Sequence, residues 1–458
     1  MNSTTGFTQE AFDAFLASRD EPAWLTQIRQ DDWSCFLQKS MPSACDEEWM
    51  RTDIRLLKLD RFGLPDDSQK ASADLIDNAD SNVDWGPQTL LAEGVDLGGR
   101  AASYNSHPQE SNLEAKWSDR GVLFGSLDAL VAEHGDLLRP FFEQRIVDPS
   151  HDKFSALSSA CWCGGTLLYV PKGVCIDQPF HSLSAMSSVP TLATGSGIDN
   201  LPGIDLGRTL VILEEGAEAT MLSETASSND TGHGLHCGTI ELLVGKEASL
   251  RYVSLQNWNL DTWHFAHQRA LIGQQGRLQW TIGALGSRLA KVNQRVALTG
   301  QDAESQVNGV MFTQQHQHLC YNTHQHHQAP NCHSDLLYKT ALQDRSRTVW
   351  RGMIQVDKRA QQTNAYQRND NLLLSPKARA DSIPGLEIEA DDVRCTHGST
   401  SGRVDKSQLF YAMSRGYTRQ EAIRMIVAGF FQQIFDRISI PGVRDALGTA
   451  IGQGVREL

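Results

Sequence analysis

The chain has 458 residues, 40% of them apolar and 21% charged, which is ordinary for a globular protein and ample for a large core. With 55 acidic against 41 basic residues the formal charge is −14, the wrong sign for a surface that tracks phosphates, so nucleic acid is not an expected partner. The opening residues have no basic and apolar leader, and the longest apolar stretch, Met425 to Phe431, is far too short to span a bilayer; the expectation is a cytoplasmic protein without membrane contact.

In chain order, residues 8 to 60 carry a helical period. Phe12, Phe15 and Leu16, then Trp24, Ile28, Trp33 and Phe36, recur as one helix face would require. Pro42 ends that run, and Asp46-Glu47-Glu48-Trp49 reads as the acidic first turn of another helix. Residues 64 to 118 are rich in Asp, Ser, Asn and Gly without a period, which predicts an irregular connection. A further helix is predicted from Ser126 to about Ile146, broken or kinked at Gly135 and Pro140.

Beyond Gly164 the texture becomes strand, and a repeat shows through. LEEGAEAT, LVGKEASL, LIGQQGRL and LTGQDAES place turn glycines at Gly216, Gly245, Gly273 and Gly300, with spacings of 29, 28 and 27. Looser copies follow at LQDRSRT (from Leu342) and LSPKARAD (from Leu374). An apolar residue leading into a turn at a fixed period marks an all-strand solenoid; the alternative is a large sandwich. Strand texture ends near Lys406. Ser407 to Arg415 then reads as a short helix stopped by Gly416, and Thr418-Arg-Gln-Glu421 as a capping box. The helix it opens carries a stripe of Ile423, Ile426, Phe430, Ile434 and Ile438, widened by Met425, Ala428 and Phe431, that must be buried; Pro441 stops it before a last helix from Val443 to Val455.

Nine cysteines without a CxxC pair argue against a disulfide framework and against a closed four-cysteine metal site, and favour a reducing compartment. Cys161 and Cys163 are expected on one strand face, as small buried hydrophobes like Cys175. His316, His318, His324, His326, His327 and His333, with Cys320 and Cys332 among them, are dense enough to suggest a metal-binding β-helix enzyme. The plain alternative is stacked or solvated histidines on successive rungs, and none of the familiar zinc spacings is present.

The stretch from Asp381 to Tyr411 is the most informative. Leu386, Ile388 and Ala390 alternate with Glu387, Glu389 and Asp391, after which the parity shifts to Val393, Cys395 and His397, so a turn or bulge is predicted at Asp391-Asp392. Two residues apart on a strand, Cys395 and His397 would share a side, and a thiolate and an imidazole could address one metal ion.

ADSIPGLEIEADDVRCTHGSTSGRVDKSQLFYAMSRG resembles the C-terminal signature of the SufD branch of the SufB/SufD family, scaffold proteins of SUF iron–sulfur cluster assembly. APNCHS from Ala329, NLLLSPKARAD from Asn371 and DKFSALSSACWCGGTLLYVPKGV from Asp152 extend the resemblance over roughly the last two-thirds of the chain. Within that pattern only His327, Pro330, Asn331 and Ser334 of the histidine-rich run fall on matching positions. The resemblance implies a mainly β fold with a right-handed parallel β-helix core over 159–405. A helical region with its irregular connection (1–158) and a helical domain (406–458) would flank it.

It further implies a non-catalytic scaffold that pairs with a SufB paralogue through the β-helix and docks the SufC ATPase on its C-terminal helices, with Arg415, Arg419 and Phe430 as partner-binding candidates. His397, with Cys395, would hold iron or an iron–sulfur cluster transiently at the SufB interface, and no cofactor would be permanently bound. In isolation a homodimer is the alternative assembly. The paralogue SufB has a cysteine where this chain has Asn369, before Asp370-Asn-Leu-Leu, so this chain looks like SufD and is not expected to build a cluster alone. No GxxxxGK[ST] occurs, so the ATPase must be a separate subunit. Besides the scaffold and the metalloenzyme, a carbohydrate-active β-helix protein with paired carboxylates is a third reading, disfavoured by the missing export signal.

Overall fold

The computed structural model describes residues 6–65, 89–190, 200–227 and 232–455. Helices α1 (Gln9–Ala17) and α2 (Ala23–Gln38) begin the chain. Strands β1 (Gly99–Tyr104) and β2 (His107–Leu113), the short helix α3 (Ala115–Ser118) and β3 (Leu123–Ser126) follow, then α4 (Leu127–Glu133), α5 (Gly135–Glu143) and α6 (Lys153–Cys161). The solenoid begins with β4 (Thr166–Val170), β5 (Phe180–Met186), the short β6 (Val189–Pro190), β7 (Asn200–Leu201) and β8 (Gly203–Asp205), β9 (Arg208–Leu213) and β10 (Glu218–Ser227). It continues through β11 (Gly234–Val244), β12 (Ser249–Asn257), β13 (Thr262–Ile272), β14 (Arg277–Ala284), β15 (Leu289–Leu298) and β16 (Glu304–Thr313). The last coils are β17 (His318–His327), β18 (His333–Leu342), β19 (Arg347–Val356), β20 (Thr363–Leu373), β21 (Arg379–Ile388) and β22 (Val393–Arg403). Helices α7 (Lys406–Ser414), α8 (Arg419–Phe435) and α9 (Pro441–Gly454) end the chain.

The strands alternate between two ten-stranded-scale sheets, and each pairs in parallel with the strand two further on, which is the connectivity of a parallel β-solenoid. The first sheet runs β2-β1-β5-β10-β12-β14-β16-β18-β20-β22 and the second β21-β19-β17-β15-β13-β11-β9-β4-β3. Large side chains fill the space between them: Tyr252, Trp280, Tyr321, Tyr338 and Trp350 are buried among Leu and Val of successive coils. Tyr252 and Trp280, in register on β12 and β14, meet edge-on at 5.8 Å.

The repeat seen in the sequence is one corner of this solenoid, but its glycines serve two purposes. The left-handed residue of each corner is Gly216, Glu247, Gln275, Asp302, Asn331 and Gln362, with φ between 55° and 69°. Its amide donates to a carbonyl of the next coil, as in Gly216 to Lys246 and Glu247 to Gln274. Of the glycines counted in the sequence, only Gly216 occupies that position. At Gly300 a Cβ would lie 2.0 Å from the backbone nitrogen of Gln274, so the requirement there is close stacking of corners. LQDRSRT and LSPKARAD lie on the opposite corner, between β18 and β19 and between β20 and β21. The sequence reading merged the two corners because both follow a leucine.

Other expectations are corrected locally. Residues 99–113, read as irregular, form β1 and β2, and β1 joins the first sheet in parallel with β5; residues 66–88 of that stretch lie outside the described residues. Asp46 to Trp49 forms turns and no helix. Cys161 ends α6 and Cys163 follows it, so they share no strand face; both are buried, as expected, whereas Cys175 is exposed just past the turn after β4. The predicted break in 126–146 falls at His134, the joint of α4 and α5.

Each outer face is covered by one end of the chain. Phe12, Trp33, Phe36, Trp49 and Phe154 pack on Leu235, Trp263, Phe265 and Leu289 of the second sheet. On the first sheet, Ile423, Val427, Phe431, Ile434 and Ile438 of α8 and its C-terminal turn, with Val443, Leu447 and Ile451 of α9, cover Leu222, Val253, Leu255, Val310 and Phe312. The C-terminal helices therefore lie along the side of the solenoid and do not cap its end. Ile423, Phe431, Ile434 and Ile438 of the expected stripe are buried and Val427 joins them, whereas Ile426 and Phe430 are half-buried and Met425 and Ala428 are exposed. Thr418 and Glu421 form the predicted capping box, each side chain bonded to the other's backbone amide. Because Phe431 is fully buried, Phe431→Ala should cost about 3–5 kcal/mol. Hydrogen exchange should then show lost protection over 406–455 with the ladders of β12–β20 unchanged; uniform loss across the solenoid would contradict lateral docking.

Candidate functional site

The two sheets end in strands paired on one edge only: β22 lies on β20 and β21 on β19. β22 is largely exposed and β21 is half-buried to exposed, unlike the more buried strands beneath them. The predicted break at Asp391-Asp392 is the corner at which the chain passes from β21 to β22, which explains why the alternation changes parity there. On β22, Cys395 is in register with Ala365 and His397 with Gln367, whose side chains are buried. Cys395 and His397 thus share the inward parity of the last rung.

Cys395 is half-buried against a small cluster of Ile354, Val356, Ala360, Ala365 and Ala390, and burial raises its thiol above the ordinary range. His397 is exposed and has no hydrogen-bond partner among the described residues. One rung further in, Asn369, Asn371 and Ser382 are tied together. Asn371 Nδ2 donates to Asn369 Oδ1 at 2.8 Å and Ser382 Oγ donates to the same oxygen at 2.5 Å. Thr400 Oγ1 donates to Asp370 Oδ1 at 2.6 Å, which fixes β22 to β20 beside them. Gln367 lies in register beneath His397, and this amide network begins two residues further along the same strand, at Asn369. Cys395 and His397 offer two donors, fewer than a cluster or a coordinated iron requires, so the remainder would have to come from another surface.

The partner-binding candidates fall on the lateral helices. On α7 and the following turn, Phe410, Tyr411, Met413 and Tyr417 are exposed, Phe410 by 74%. Arg415 stands over the Tyr411 ring at 5.1 Å and donates to its hydroxyl. Arg419 is half-buried at the start of α8. Phe430 is half-buried within the chain's own helix cluster, where Lys339 Nζ lies 4.8 Å from its ring centroid and donates to its carbonyl.

The histidine-rich run does not converge. His316 sits in a corner, His333 begins β18 on the other sheet, and His318, His324, His326 and His327 are spread along β17. His324 and His326 stack with rings 5.5 Å apart, His326 pairs with Asp357 at 2.8 Å, and His327 bonds Ser334 Oγ at 2.8 Å. Among the described residues the one group of three converging metal-type ligands lies elsewhere, at His151, Asp152 and His267. Sequence reading missed it because the members are far apart in the chain and only the His151-Asp152 neighbours hinted at it.

The N-terminal part matches the SufBD protein N-terminal region over residues 13–181, and the solenoid matches the SufBD core domain of SUF-system iron–sulfur cluster assembly over residues 197–430. The chain belongs to the SufBD family. An iron–sulfur cluster assembly SufBD family protein of Staphylococcus saprophyticus is 28% identical over 433 residues, covering 94% of this chain and 89% of the relative. Proteins of the same description from Staphylococcus haemolyticus and Staphylococcus aureus strain MRSA252 are each 27% identical over the same coverage. The SufBD core match ends at 430, within α8, so the exposed end strands and α7 both lie inside the family's core.

The histidines of β17 make a pH prediction. Burial pushes His318 and His324 down to about 4 and His327 to about 3, with neighbouring cations adding to the effect. An unfolded histidine titrates near ~6.5, so below that pH the unfolded chain binds protons that the folded one does not. The contribution is intact above about 6.5 and is lost as pH falls toward 4. Melting temperature should therefore drop over that window, and His327→Gln should flatten part of the slope; an unchanged slope would contradict it.

Proposed function

We propose that this chain is a SufD-type scaffold subunit, itself non-catalytic, of a cytoplasmic SufBCD-like iron–sulfur assembly complex. The observation that carries the reading is the open end of the solenoid, where an unpaired pair of edge strands presents His397 beside Cys395. Unpaired strand edges favour pairing with another strand, and a SufB-like paralogue with its own solenoid end would continue both sheets. His397 would then meet ligands of the partner, with iron or a growing cluster as transient cargo.

One further observation supports this subunit rather than its paralogue. Position 369 carries an asparagine locked into hydrogen bonds, with no thiolate to donate. All nine cysteines are free, as a reducing compartment requires. The exposed Phe410, Tyr411, Met413 and Tyr417 on α7 offer an apolar surface suited to a separate ATPase subunit, with Arg415 at its edge.

Co-expression with SufB-like and SufC-like subunits tests both surfaces. His397→Ala should leave the complex assembled and abolish cluster maturation in cells; normal maturation would reject the role. Hydrogen exchange over 379–403 should slow only when the SufB-like partner is present, and equal protection in the isolated chain would count against end-to-end pairing. Phe410→Asp should reduce ATPase capture at least about tenfold with an unchanged melting curve, as expected for one exposed apolar anchor. Full capture by a chain lacking 407–458 would overturn the docking assignment.

A further inference from the structure

Well away from the open end, where the N-terminal helices meet the second sheet, three ligand-type side chains converge. His151 and Asp152 close the turn before α6, His267 projects from β13, and their donor atoms all lie within 4.8 Å of one another. His267 Nε2 is 3.2 Å from Asp152 Oδ1. His151 Nε2 is 3.1 Å from Glu48 Oε2, so a second carboxylate borders the group. Asn293 of β15 brings its Nδ2 to 3.2 Å from His151 Nε2 and 3.5 Å from His267 Nδ1.

The carboxylate supplies an independent sign of a missing ligand. The Asp152 side chain is more than nine-tenths buried. Its Oδ1 caps α6, accepting the amides of Phe154 and Ser155, whereas its Oδ2 has no hydrogen-bond partner. A buried, unsatisfied carboxylate oxygen is costly unless something positive occupies its open side. The nearby cations are already engaged: Arg269 donates to the Ile146 carbonyl, and Arg295 lies 3.9 Å from Glu48. A cleft lined by Asp148, His151, His267 and Asn293 leads to the group from outside.

We propose that His151, His267, Asp152 and Glu48 form a site for one borderline divalent cation, zinc(II) or iron(II). Two imidazoles and two carboxylates suit such ions, and the two negative charges balance the ion's own. Tetrahedral bonds of about 2.0–2.2 Å place neighbouring ligand atoms about 3.3–3.6 Å apart; the His267–Asp152 and His151–Glu48 contacts are already near that separation, and the rest of the group, spread over up to 4.8 Å, would draw in around the ion. The ligands come from the turn at 44–50, the turn before α6 and β13, so the ion would fasten the N-terminal region to the side of the solenoid. Nothing in this site depends on the cluster-building role of His397.

The test uses the full chain, stripped with a chelator and titrated with zinc(II), or with iron(II) under anaerobic conditions, against a chromophoric competitor. One ion per chain is expected. His151→Gln and His267→Gln should each weaken it at least about 100-fold, since loss of a supporting contact alone typically costs about 10–100-fold. His397→Ala should leave this ion in place, which separates the site from the open end. Absence of a stoichiometric ion, or one unaffected by the double His151→Gln, His267→Gln variant, would overturn the proposal. A readout on the unmutated chain guards against misfolded variants: zinc should shield His151 from carbethoxylation mapped by mass spectrometry. A His151 that stays equally reactive with zinc present would likewise overturn it.

Discussion

The structure depends on one requirement: every backbone amide and carbonyl in a coil must be matched by the coil before it and the coil after it. In the middle of the solenoid neighbouring coils meet that requirement along whole strands, as β12, β14 and β16 show with uninterrupted registers. The packed aromatic interior and the left-handed corner residues follow from it, because strands held in register stack like side chain on like. At the two ends the requirement cannot be met in the same way, and the ends are treated differently. At the N-terminal end β2 and β3 run antiparallel to β1 and β4 and end the two sheets. At the other end β21 and β22 stop with their outer edges unpaired.

Helices at the two termini serve a second need. A sheet in a solenoid has an inner and an outer face, and an apolar outer face must be covered. The N-terminal helices cover the second sheet and the C-terminal helices the first. That division leaves α7 projecting with its aromatic residues exposed and leaves the open end clear. The metal-type cluster at His151, Asp152 and His267 lies under the N-terminal cover, at the seam where helix meets strand.

Much of this was legible in the sequence, for identifiable reasons. The turn repeat from Gly216 to Gly300 announced a solenoid because corner stacking imposes a period on the chain itself. The capping box at Thr418 and Glu421 and the corner at Asp391-Asp392 are local rules, and both were realised. What escaped was long-range. The burial of Val427 and the exposure of Met425 and Ala428 depend on which outer residues the helix meets. β1 carries little strand propensity in its Gly-Arg-Ala-Ala-Ser-Tyr sequence, yet pairing with β5 makes it a strand. The histidines from 316 to 333 looked like a site because they are close in sequence, while His151 and His267, far apart in sequence, are neighbours in space. The choice of His397 came from the resemblance, and the fold adds that it stands on the last rung.

The N-terminal end bears on what the open end could build. β2 carries Pro108 and Glu110 on its exposed edge, and the register slips between Ala102 and Ser103, all features that discourage a strand from adding there. A solenoid with two adhesive ends would polymerise into a filament of unlimited length. With one blunted end and one end that pairs as proposed, joining would stop after a single step, capping that assembly at two chains however high the concentration rises.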